Sequence, residues 1–382
     1  MFANRRLFVV FVLVVFLLIA CQPIQPEVAA PEVAAPQAEA ALPEPASPTA
    51  EPAPTPKISP VLAFQFEMKS DLVESPSLAG NLLGDPTERT VYVLLPPGYA
   101  ESESRYPVVY VLPWGSGGPS DNALSFRHAL VQALRNQEIQ PMIMVVPDGT
   151  TALGHSQFRS SATIGDHEGF LTRDVVDYID STYRTLATRE SRGLAGCSMG
   201  GQATMRIGLK YPDVFSVLAP TGAFFDDSPW VEDYEFMETV SVLPSTPEEV
   251  RSQAYNGVWW YIDAAAGIIS NPDNPPFFTD MPLRIVDGRA EFVPEVVEQI
   301  VAQDSVHMLP RYLEQPARLN GILIQVGLQD DQPVIDSTHQ FADMLSAAGV
   351  EYTLMDKDTH CPSAWEVDTL KFMAEHLEFE SP

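Results

Sequence analysis

Residues 196–201 constrain the fold of this chain more than any other stretch. They read Gly-Cys-Ser-Met-Gly-Gly, so Ser198 has a glycine two positions before it and another two positions after it. The short, partly apolar segment 191–195 predicts a buried strand, and the apolar spacing of residues 202–210 predicts a helix. A serine on so tight a strand-to-helix turn requires glycine on both sides, because side chains there would collide. The pattern predicts a nucleophile elbow that exposes Ser198, with an ordinary glycine-rich turn as the alternative.

The segments around this turn alternate between strands and helices. Continuous apolar runs at 108–112 and 142–146 predict buried parallel strands, and residues 122–136 between them have helical spacing. A further helix is predicted over 170–183, and a strand over 214–219 follows the helix after Ser198. This alternation predicts an α/β fold built on a mostly parallel, doubly wound sheet.

The N-terminal part of the chain carries targeting and spacer signals. Two arginines precede an unbroken apolar run over 7–20, which is typical of an export signal and shorter than the roughly 20 residues of a membrane-spanning helix. The run ends in Leu-Ile-Ala-Cys, which resembles a bacterial lipobox, so residues 1–20 are predicted to be a lipoprotein signal peptide and Cys21 the lipidated residue. An ordinary signal peptide with a chance cysteine is the alternative.

Residues 21–57 are rich in proline, alanine and glutamate, and they contain too little apolar surface to form a core. We expect them to be an extended, disordered tether. The protein is therefore expected to be extracytoplasmic and anchored to the bacterial cell membrane through lipid on Cys21.

Composition limits the partners that the protein could have. The 382 residues carry a formal net charge of −29, which argues against nucleic acid or anionic lipid headgroups as partners. Zinc-ligand spacing, a phosphate-binding glycine loop and a dinucleotide fingerprint are all missing, so we expect neither a metal nor an organic cofactor. The acidic pairs at 226–227 and 330–331 could suggest a metal site, but in so acidic a chain they are expected to be solvated.

Five motifs, in order along the chain, resemble a known family. They are SLAGNLLGDP at 77–86, LPPGY at 95–99, YPVVY at 106–110, VPDG at 146–149 and AGCSMGG at 195–201. Together they resemble the esterase D family of α/β-hydrolases, which includes carboxylesterases, enterochelin-type siderophore esterases, feruloyl and acetyl-xylan esterases, S-formylglutathione hydrolases and mycolyltransferases. The resemblance implies that residues 58–382 form an α/β-hydrolase domain acting on a small-molecule, carbohydrate or siderophore ester, without indicating which ester.

The elbow fold places its acid after the serine and before the histidine along the chain. A strand is predicted over 320–326, and Asp330 follows it where the family carries Gly-x-x-Asp. We therefore predict that Asp330 is the orienting acid. Asp331 remains the alternative, because one residue of misalignment exchanges the two.

Three histidines follow that acid in the sequence. His360 lies in a short loop between a predicted strand at 351–355 and a predicted helix, where a side chain can reach the elbow. His339 and His376 fall within predicted helices and are expected to be partly exposed helix residues. The predicted catalytic triad is thus Ser198, Asp330 and His360.

Two backbone amides are expected to form the oxyanion hole. One belongs to Met199, directly after the nucleophile, and the other to the loop at 113–118. The family usually has His-Gly in this loop, whereas this chain has Trp114-Gly115. Ser116 is the predicted second donor, and Gly115 is the alternative.

Cysteines directly neighbour the proposed nucleophile and base. Cys197 is one position short of the exposed elbow residue and is not expected to be a nucleophile. Both Cys197 and Cys361 are expected to be small buried hydrophobes. A disulfide between them is the alternative, and it requires Cα atoms within about 7 Å.

Residues 225–318 interrupt the alternation where α/β-hydrolases carry a cap, after the strand that follows the nucleophile helix. Their aromatic residues are expected either to line a substrate pocket as a lid or to form the insertion's own small core. Trp259 and Trp260 are expected to be too close in sequence to face one pocket together. These aromatic residues are Trp230, Tyr255, Trp259, Trp260, Tyr261, Phe277 and Phe278.

These inferences predict an exported serine carboxylesterase that works through an acyl-enzyme on Ser198. An acyltransferase of the same fold, similar to the mycolyltransferases, is one alternative, because the same intermediate can pass its acyl group to a sugar or lipid hydroxyl. A non-catalytic surface binding lipoprotein is another, and the unusual loop at Trp114 is the feature that favours it.

Overall fold

The computed structural model describes residues 67–115, 118–228, 239–252, 257–361 and 364–380. The predicted signal peptide, the lipidation site Cys21 and the predicted tether lie outside the described residues, as do Ser116, Trp230 and Tyr255. Within the described ranges, none of the helices combines the length and the apolar character needed to cross a bilayer.

Eight strands form one central sheet in the order β1-β2-β4-β3-β5-β6-β7-β8. Their bounds are β1 Glu67–Glu74, β2 Glu88–Leu95, β3 Val108–Leu112, β4 Ile143–Pro147, β5 Arg192–Cys197, β6 Val217–Thr221, β7 Gly321–Gly327 and β8 Thr353–Lys357. Strand β2 pairs antiparallel with β1 and β4, and all other pairs are parallel. Every residue of β3, β4 and β6 is buried, as continuous apolar strands covered on both faces should be.

Helices cover both faces of this sheet. Their bounds are α1 Pro119–Arg135, α2 His167–Gly169, α3 Val176–Thr182, α4 Met199–Lys210, α5 Pro247–Arg251, α6 Val258–Ala266, α7 Pro294–Val301, α8 Ser305–Glu314, α9 Gln332–Ala347 and α10 Trp365–His376. A π-helical segment, Phe170–Val175, joins α2 to α3. The predicted α/β class with a mostly parallel, doubly wound sheet is confirmed.

Alternate residues of the central strands pack into two separate cores. Tyr110 and Leu194 contribute to one core, which also contains residues of α4, α8 and α9. Val111 and Ala195, their chain neighbours, contribute to the other core, together with residues of α1 and α10. Because successive side chains of a strand point to opposite faces, each central strand contributes residues to the cores on both faces of the sheet.

The region between β6 and β7 contains α5 to α8 and a two-stranded ribbon, Leu283–Val286 paired with Arg289–Phe292. Part of it packs in a smaller third core, which joins Val258, Phe277 and Leu283 to Leu153 and Ile164 from outside the region. Helix α8, in contrast, packs into the main core through residues such as Leu309. This region lies after the strand that follows α4, directly beside the ends of the parallel strands.

Candidate active site

Ser198 stands on the turn between β5 and α4. Its backbone φ is 55° and its ψ is −124°, a combination that residues other than glycine seldom adopt. The Ser198 N–H donates to the carbonyl of Thr221 at 2.8 Å, and the Gln202 N–H donates to the Ser198 carbonyl at 3.0 Å. These bonds fix the strained turn between the neighbouring strand end and the first turn of the helix.

Gly196 and Gly200 allow the strand and the helix to approach each other. A Cβ on Gly196 would lie 2.5 Å from the carbonyl carbon of Gly200. A Cβ on Gly200 would collide with the carbonyl oxygen of Leu112 and lie 2.9 Å from that of Pro113. Backbone atoms cannot turn aside as side-chain atoms can, so this packing accounts for both glycines of the motif.

The structure brings His360 and Asp330 together. His360 Nδ1 lies 2.6 Å from Asp330 Oδ2, and the Asp331 N–H donates to Asp330 Oδ1 at 2.9 Å. The Asp330 side chain is only 7% exposed, whereas that of His360 is 41% exposed. Since a carboxylate can only accept, the imidazole donates through Nδ1–H, and its Nε2 is left as an acceptor. This is the tautomer that a general base requires.

Asp331 also lines the cavity, whereas His339 and His376 lie on helices. Asp331 occupies the position before α9, and its backbone rather than its side chain contacts Asp330. His339 Nε2, on α9, lies 3.4 Å from Asp356 Oδ1, and His376 on α10 donates to the Phe372 carbonyl at 2.9 Å. Of the two acids left open by the sequence, Asp330 is the one that contacts His360.

His360 and Ser198 line the same cavity. The imidazole packs against Gly222, where a Cβ would lie 3.2 Å from Nδ1 and 3.3 Å from Cε1. Gly222 follows β6, the strand between those that lead to Ser198 and Asp330. Within the described residues Ser198 Oγ makes no hydrogen bond, and in free enzymes the serine–histidine contact is commonly long and tightens on substrate binding.

The N-terminus of α4 supplies the first predicted oxyanion donor. Met199 is the first residue of this helix, and amides of a first helical turn have no acceptor within the helix. The helix dipole also favours negative charge at this end. Gly115 lies alongside, where a Cβ would be 3.6 Å from Met199 Cε and 3.2 Å from the Trp259 ring. Ser116, the predicted second donor, lies outside the described residues.

These groups open onto a cavity of about 980 Å³. Such a volume accommodates a drug-sized molecule. Ser198, Asp330 and His360 lie in its lining, next to a largely aromatic wall. The aromatic side chains of this wall belong to Trp114, Phe224, Trp259, Trp260, Tyr261 and Trp365.

The expectation that Trp259 and Trp260 cannot face one pocket is wrong. Both line the cavity, with ring centroids 5.8 Å apart and ring planes at 83°. Neighbouring helix positions diverge at the backbone, but long indole side chains can bend back toward one concave space. Phe277 packs instead in the smaller core that the insertion forms together with Leu153 and Ile164. The aromatic residues of the insertion are thus divided between the two roles that the sequence left open.

Cys197 and Cys361 form a disulfide, with Cα atoms 5.8 Å apart. The expectation that they are two separate buried hydrophobes is therefore wrong. Each cysteine is the chain neighbour of a group that must meet the other, since Cys197 precedes Ser198 and Cys361 follows His360. Since Ser198 and His360 line one cavity, their chain neighbours come within disulfide distance.

A buried polar cluster beside the cavity was missed by the sequence reasoning. Asp227 lines the cavity but is only 4% exposed, so the expectation that it is solvated is wrong. It accepts from Gln202 Nε2 at 3.0 and 3.3 Å, and its N–H donates to Asp304 Oδ2 at 2.8 Å. Burial raises the pKa of Asp227 and of Asp304, while the Arg159 charge opposes both changes. Its position in the sequence could have indicated that Asp227 lies at the site, because Asp227 follows the end of β6 much as Asp330 follows β7.

A second buried carboxyl anchors the helix that carries Trp259 and Trp260. Asp263 on α6 is 1% exposed and accepts from the His155 N–H at 3.2 Å. Burial raises the pKa of the Asp263 carboxyl well above its usual range. Burial also lowers the pKa of His155 to about 4, and this ring accepts from the Gln157 N–H through Nδ1 at 3.0 Å. Burial thus disfavours the charged form of both side chains, the carboxylate of Asp263 and the imidazolium of His155.

Comparison with known proteins gives one family. The sequence model of the family described as "Putative esterase" matches residues 85–282. An esterase of Mycobacterium tuberculosis is 32% identical over 126 residues, which are 32% of this chain and 26% of that protein. An endo-1,4-beta-xylanase/feruloyl esterase of Xylanibacter ruminicola is 30% identical over 133 residues, 33% of this chain and 18% of that protein. The aligned part of this chain thus spans about a quarter or less of the length of these curated relatives.

Solved structures share the fold at low identity. A ferulic acid esterase superimposes with a TM-score of 0.56 at 17% identity, covering 82% of this chain and 99% of that one. A fluorophosphonate-binding serine hydrolase of Staphylococcus aureus gives 0.52 at 16% identity, covering 80% and 96%. An S-formylglutathione hydrolase of the same organism gives 0.51 at 15% identity, also covering 80% and 96%. These similarities show that the domain has the expected α/β-hydrolase fold.

The buried Asp263 should make stability depend on pH. Because its pKa is raised in the folded state, the folded protein holds a proton that the unfolded chain releases above about pH 4, so stability falls as the pH rises from there through the folded pKa. Asp263→Asn keeps a neutral acceptor for the His155 N–H and removes this loss. Urea unfolding of both proteins at a series of pH values should show an advantage of the variant that grows with pH, and a difference independent of pH would contradict the assignment.

Proposed function

Because the chain belongs to the Putative esterase family, we propose that it is a serine carboxylesterase that hydrolyses its substrate through an acyl-enzyme. The observation that carries the proposal is the 2.6 Å contact between Asp330 and His360, on the wall of a cavity that also contains Ser198. The same contact favours an enzyme over a binding lipoprotein, since ligand binding alone gives no reason to orient an imidazole in a cavity that also contains a strained serine.

Acylation of the enzyme uses the tautomer that Asp330 selects. Ser198 Oγ attacks the ester carbonyl carbon while His360 Nε2 accepts the hydroxyl proton. Asp330 stabilises the imidazolium that forms. The carbonyl oxygen becomes an oxyanion, which accepts from the Met199 N–H and from an amide of the 113–118 loop, with Ser116 and Gly115 as the candidates. The imidazolium then protonates the departing alcohol oxygen and leaves an acyl group on Ser198.

Deacylation repeats these steps with water in place of the serine. His360 Nε2 accepts a proton from the water as its oxygen attacks the acyl carbon, and the same oxyanion donors hold the second tetrahedral intermediate. The imidazolium returns the proton to Ser198 Oγ as the acyl–oxygen bond breaks. The products are the carboxylic acid and the free enzyme.

The cavity supports a substrate with an aromatic part. The side chains of Trp114, Trp259 and Trp260 lie in an apolar wall on which a planar ring can stack or pack edge to face. One relative and one structural neighbour are named feruloyl and ferulic acid esterases. We propose a small-molecule ester, free or linked to a carbohydrate or siderophore, whose acyl or alcohol part is aromatic.

We also propose that the enzyme works outside the cytoplasm, lipid-anchored through Cys21. The apolar run and the lipobox-like residues 18–21 support this location. The disulfide between Cys197 and Cys361 is an independent support, since such bonds persist mainly in oxidising compartments. The net charge of −29 disfavours adsorption to anionic headgroups, so attachment depends on the lipid.

Removing the nucleophile tests the proposed reaction. Ser198→Ala should lower kcat/KM for a p-nitrophenyl ester by about 10³-fold or more, because only binding and the oxyanion donors remain. Steady-state kinetics with circular dichroism as a check of folding provide the measurement. Turnover at the wild-type rate by the folded variant would reject Ser198 as the nucleophile.

Because Asp330 and Asp331 are adjacent and chemically identical, their asparagine variants form a matched pair. Asp330→Asn should lower kcat by about 10³- to 10⁴-fold, because the amide no longer selects the required imidazole tautomer. Asp331→Asn changes the same chemistry one residue away and should leave kcat within about threefold, since the contact of Asp331 with Asp330 is through its backbone. A larger loss in the Asp331 variant would reverse the assignment.

Replacing Cys21 tests the proposed lipid anchoring. The protein is expressed in a bacterium that lipidates such proteins. There, Cys21→Ser should shift it from the membrane fraction to the soluble fraction, because a serine cannot carry the thioether-linked lipid. Immunoblots of both fractions provide the measurement. Retention of the variant in the membrane fraction would contradict anchoring at Cys21.

A further inference from the structure

The disulfide joins the chain neighbours of the proposed nucleophile and base. Cys197 is the last residue of β5 and is fully buried, whereas Cys361 lies in the loop after β8 and lines the cavity. The two cysteines are 164 positions apart in the sequence. The bond therefore connects a buried central strand directly to the loop that carries His360.

Few backbone hydrogen bonds hold this loop, although Gly327 at the end of β7 packs closely against its Thr359–His360 backbone. Strand β8 is at the end of the sheet, and residues 358–360 after it are exposed. The carbonyls of Lys357 and Asp358 accept from Leu328 and Gln329 at 2.9 Å, but residues 359–361 make no backbone–backbone hydrogen bond with the described part of the chain. Loops with few backbone partners sample local openings more readily than the elements that they connect.

The backbone of Cys361 has an unfavourable conformation. Its φ is 42°, in the left-handed region that side-chain-bearing residues seldom occupy. Such a conformation persists only where surrounding contacts impose it. The covalent bond to Cys197 is the strongest of those contacts, and it acts one residue away from the imidazole.

Asp330 and Gly222 also contact the His360 imidazole, but these contacts do not replace the disulfide. The Asp330 carboxylate orients the ring through Nδ1, and Gly222 leaves room for the ring against the end of β6. Gly222 also lies close to the backbone nitrogen of Cys361, but both contacts are non-covalent and can separate when the loop moves. A displacement of about 1 Å between reacting groups can lower a rate by about 10²-fold.

We propose that the disulfide between Cys197 and Cys361 is a positioning element that holds the His360 loop opposite Ser198, so that reducing it inactivates the enzyme. This inference rests on the proposed function and adds to it a covalent requirement and a redox sensitivity. A dithiol reductant supplies two electrons and two protons, the S–S bond breaks, both cysteines become thiols and the reductant becomes a cyclic disulfide.

The expected effect is on the chemical step. Reduction should lower kcat by about 10- to 100-fold, through misplacement of the base, while KM changes by no more than about twofold. The aromatic wall contributed by Trp259 and Trp260 belongs to α6 and does not depend on the loop. The second-order rate of Ser198 labelling by a fluorophosphonate should fall by a similar factor, because that reaction needs the same base but not the ester pocket.

The experiment compares oxidised, reduced and reoxidised full-length protein. Alkylation followed by peptide mass mapping counts the thiols at positions 197 and 361 before and after dithiothreitol, and circular dichroism verifies that the reduced protein is folded at the assay temperature. Reoxidation should restore kcat. The matched control is the double variant Cys197→Ala/Cys361→Ala, whose low kcat should not respond to dithiothreitol.

A double-mutant cycle separates positioning from a merely structural role. If the disulfide acts through His360, Asp330→Asn should lower kcat by a much smaller factor in the double-cysteine variant than in the oxidised wild type, because the base is already misplaced. Equal factors in the two backgrounds would overturn the positioning role. If the double-cysteine variant fails to fold, the same cycle is run with reduced and oxidised protein.

The outcomes distinguish this inference from the proposed function. If the oxidised wild type hydrolyses no ester and Ser198→Ala makes no difference, the proposed function fails whatever the state of the cysteines. If the oxidised protein is active through Ser198 and verified reduction leaves kcat unchanged, the proposed function stands and the positioning role is overturned.

Discussion

The close approach of α4 to the ends of β3 and β6 places the reactive groups of the site. A Cβ on Gly200 would collide with the Leu112 carbonyl, and one on Gly201 would lie 2.6 Å from the Thr221 carbonyl. Only a backbone free of side chains at these positions allows the helix to start so near the sheet. The serine between strand and helix is then forced to a φ of 55°. Ser198 therefore stands at the carboxyl edge of the sheet, with an unpaired helix terminus directly behind it.

The order of the parallel strands brings the other two groups to the same edge. Strands β5, β6, β7 and β8 are neighbours in the sheet, and they end near Ser198, Gly222, Asp330 and His360 respectively. Asp330 receives donors on both oxygens, from the Asp331 N–H and from His360. Asp263, in contrast, receives the His155 N–H on one oxygen, and its other oxygen has no partner among the described residues. Asp330 thus contacts the imidazole of His360, whereas Asp263 links the helix that carries Trp259 and Trp260 to the backbone at His155.

The parts of the site that follow from short segments could be predicted from the sequence. The glycine spacing predicted the turn at Ser198, and the strand-then-loop position of Asp330 and His360 predicted that they would reach the same edge. Choosing between Asp330 and Asp331 required the structure, because a shift of one residue leaves every local pattern unchanged. The burial of Asp227 and the shared cavity of Trp259 and Trp260 depend on how distant segments pack, which neither composition nor periodicity encodes.

The disulfide, which the sequence left as the alternative, could also have been favoured before the structure was known. Once Ser198 and His360 are assigned to one site, Cys197 and Cys361 are each a single residue from groups that must meet. The prediction that they are two separate buried hydrophobes considered only the residues next to each cysteine in the sequence. The structure instead makes them one covalent link between a buried central strand and the exposed loop that contains His360.

The central claim is that Ser198, His360 and the start of α4 act on one carbonyl group. A crystal structure of the protein after reaction with a p-nitrophenyl phosphonate tests it most directly, since the tetrahedral phosphonate imitates the intermediate of ester hydrolysis. The account predicts continuous density from Ser198 Oγ to phosphorus, the phosphoryl oxygen within hydrogen-bond distance of the Met199 N–H, and His360 Nε2 facing the adduct. An adduct on another residue, or a phosphoryl oxygen turned away from α4 with His360 remote from it, would contradict the account.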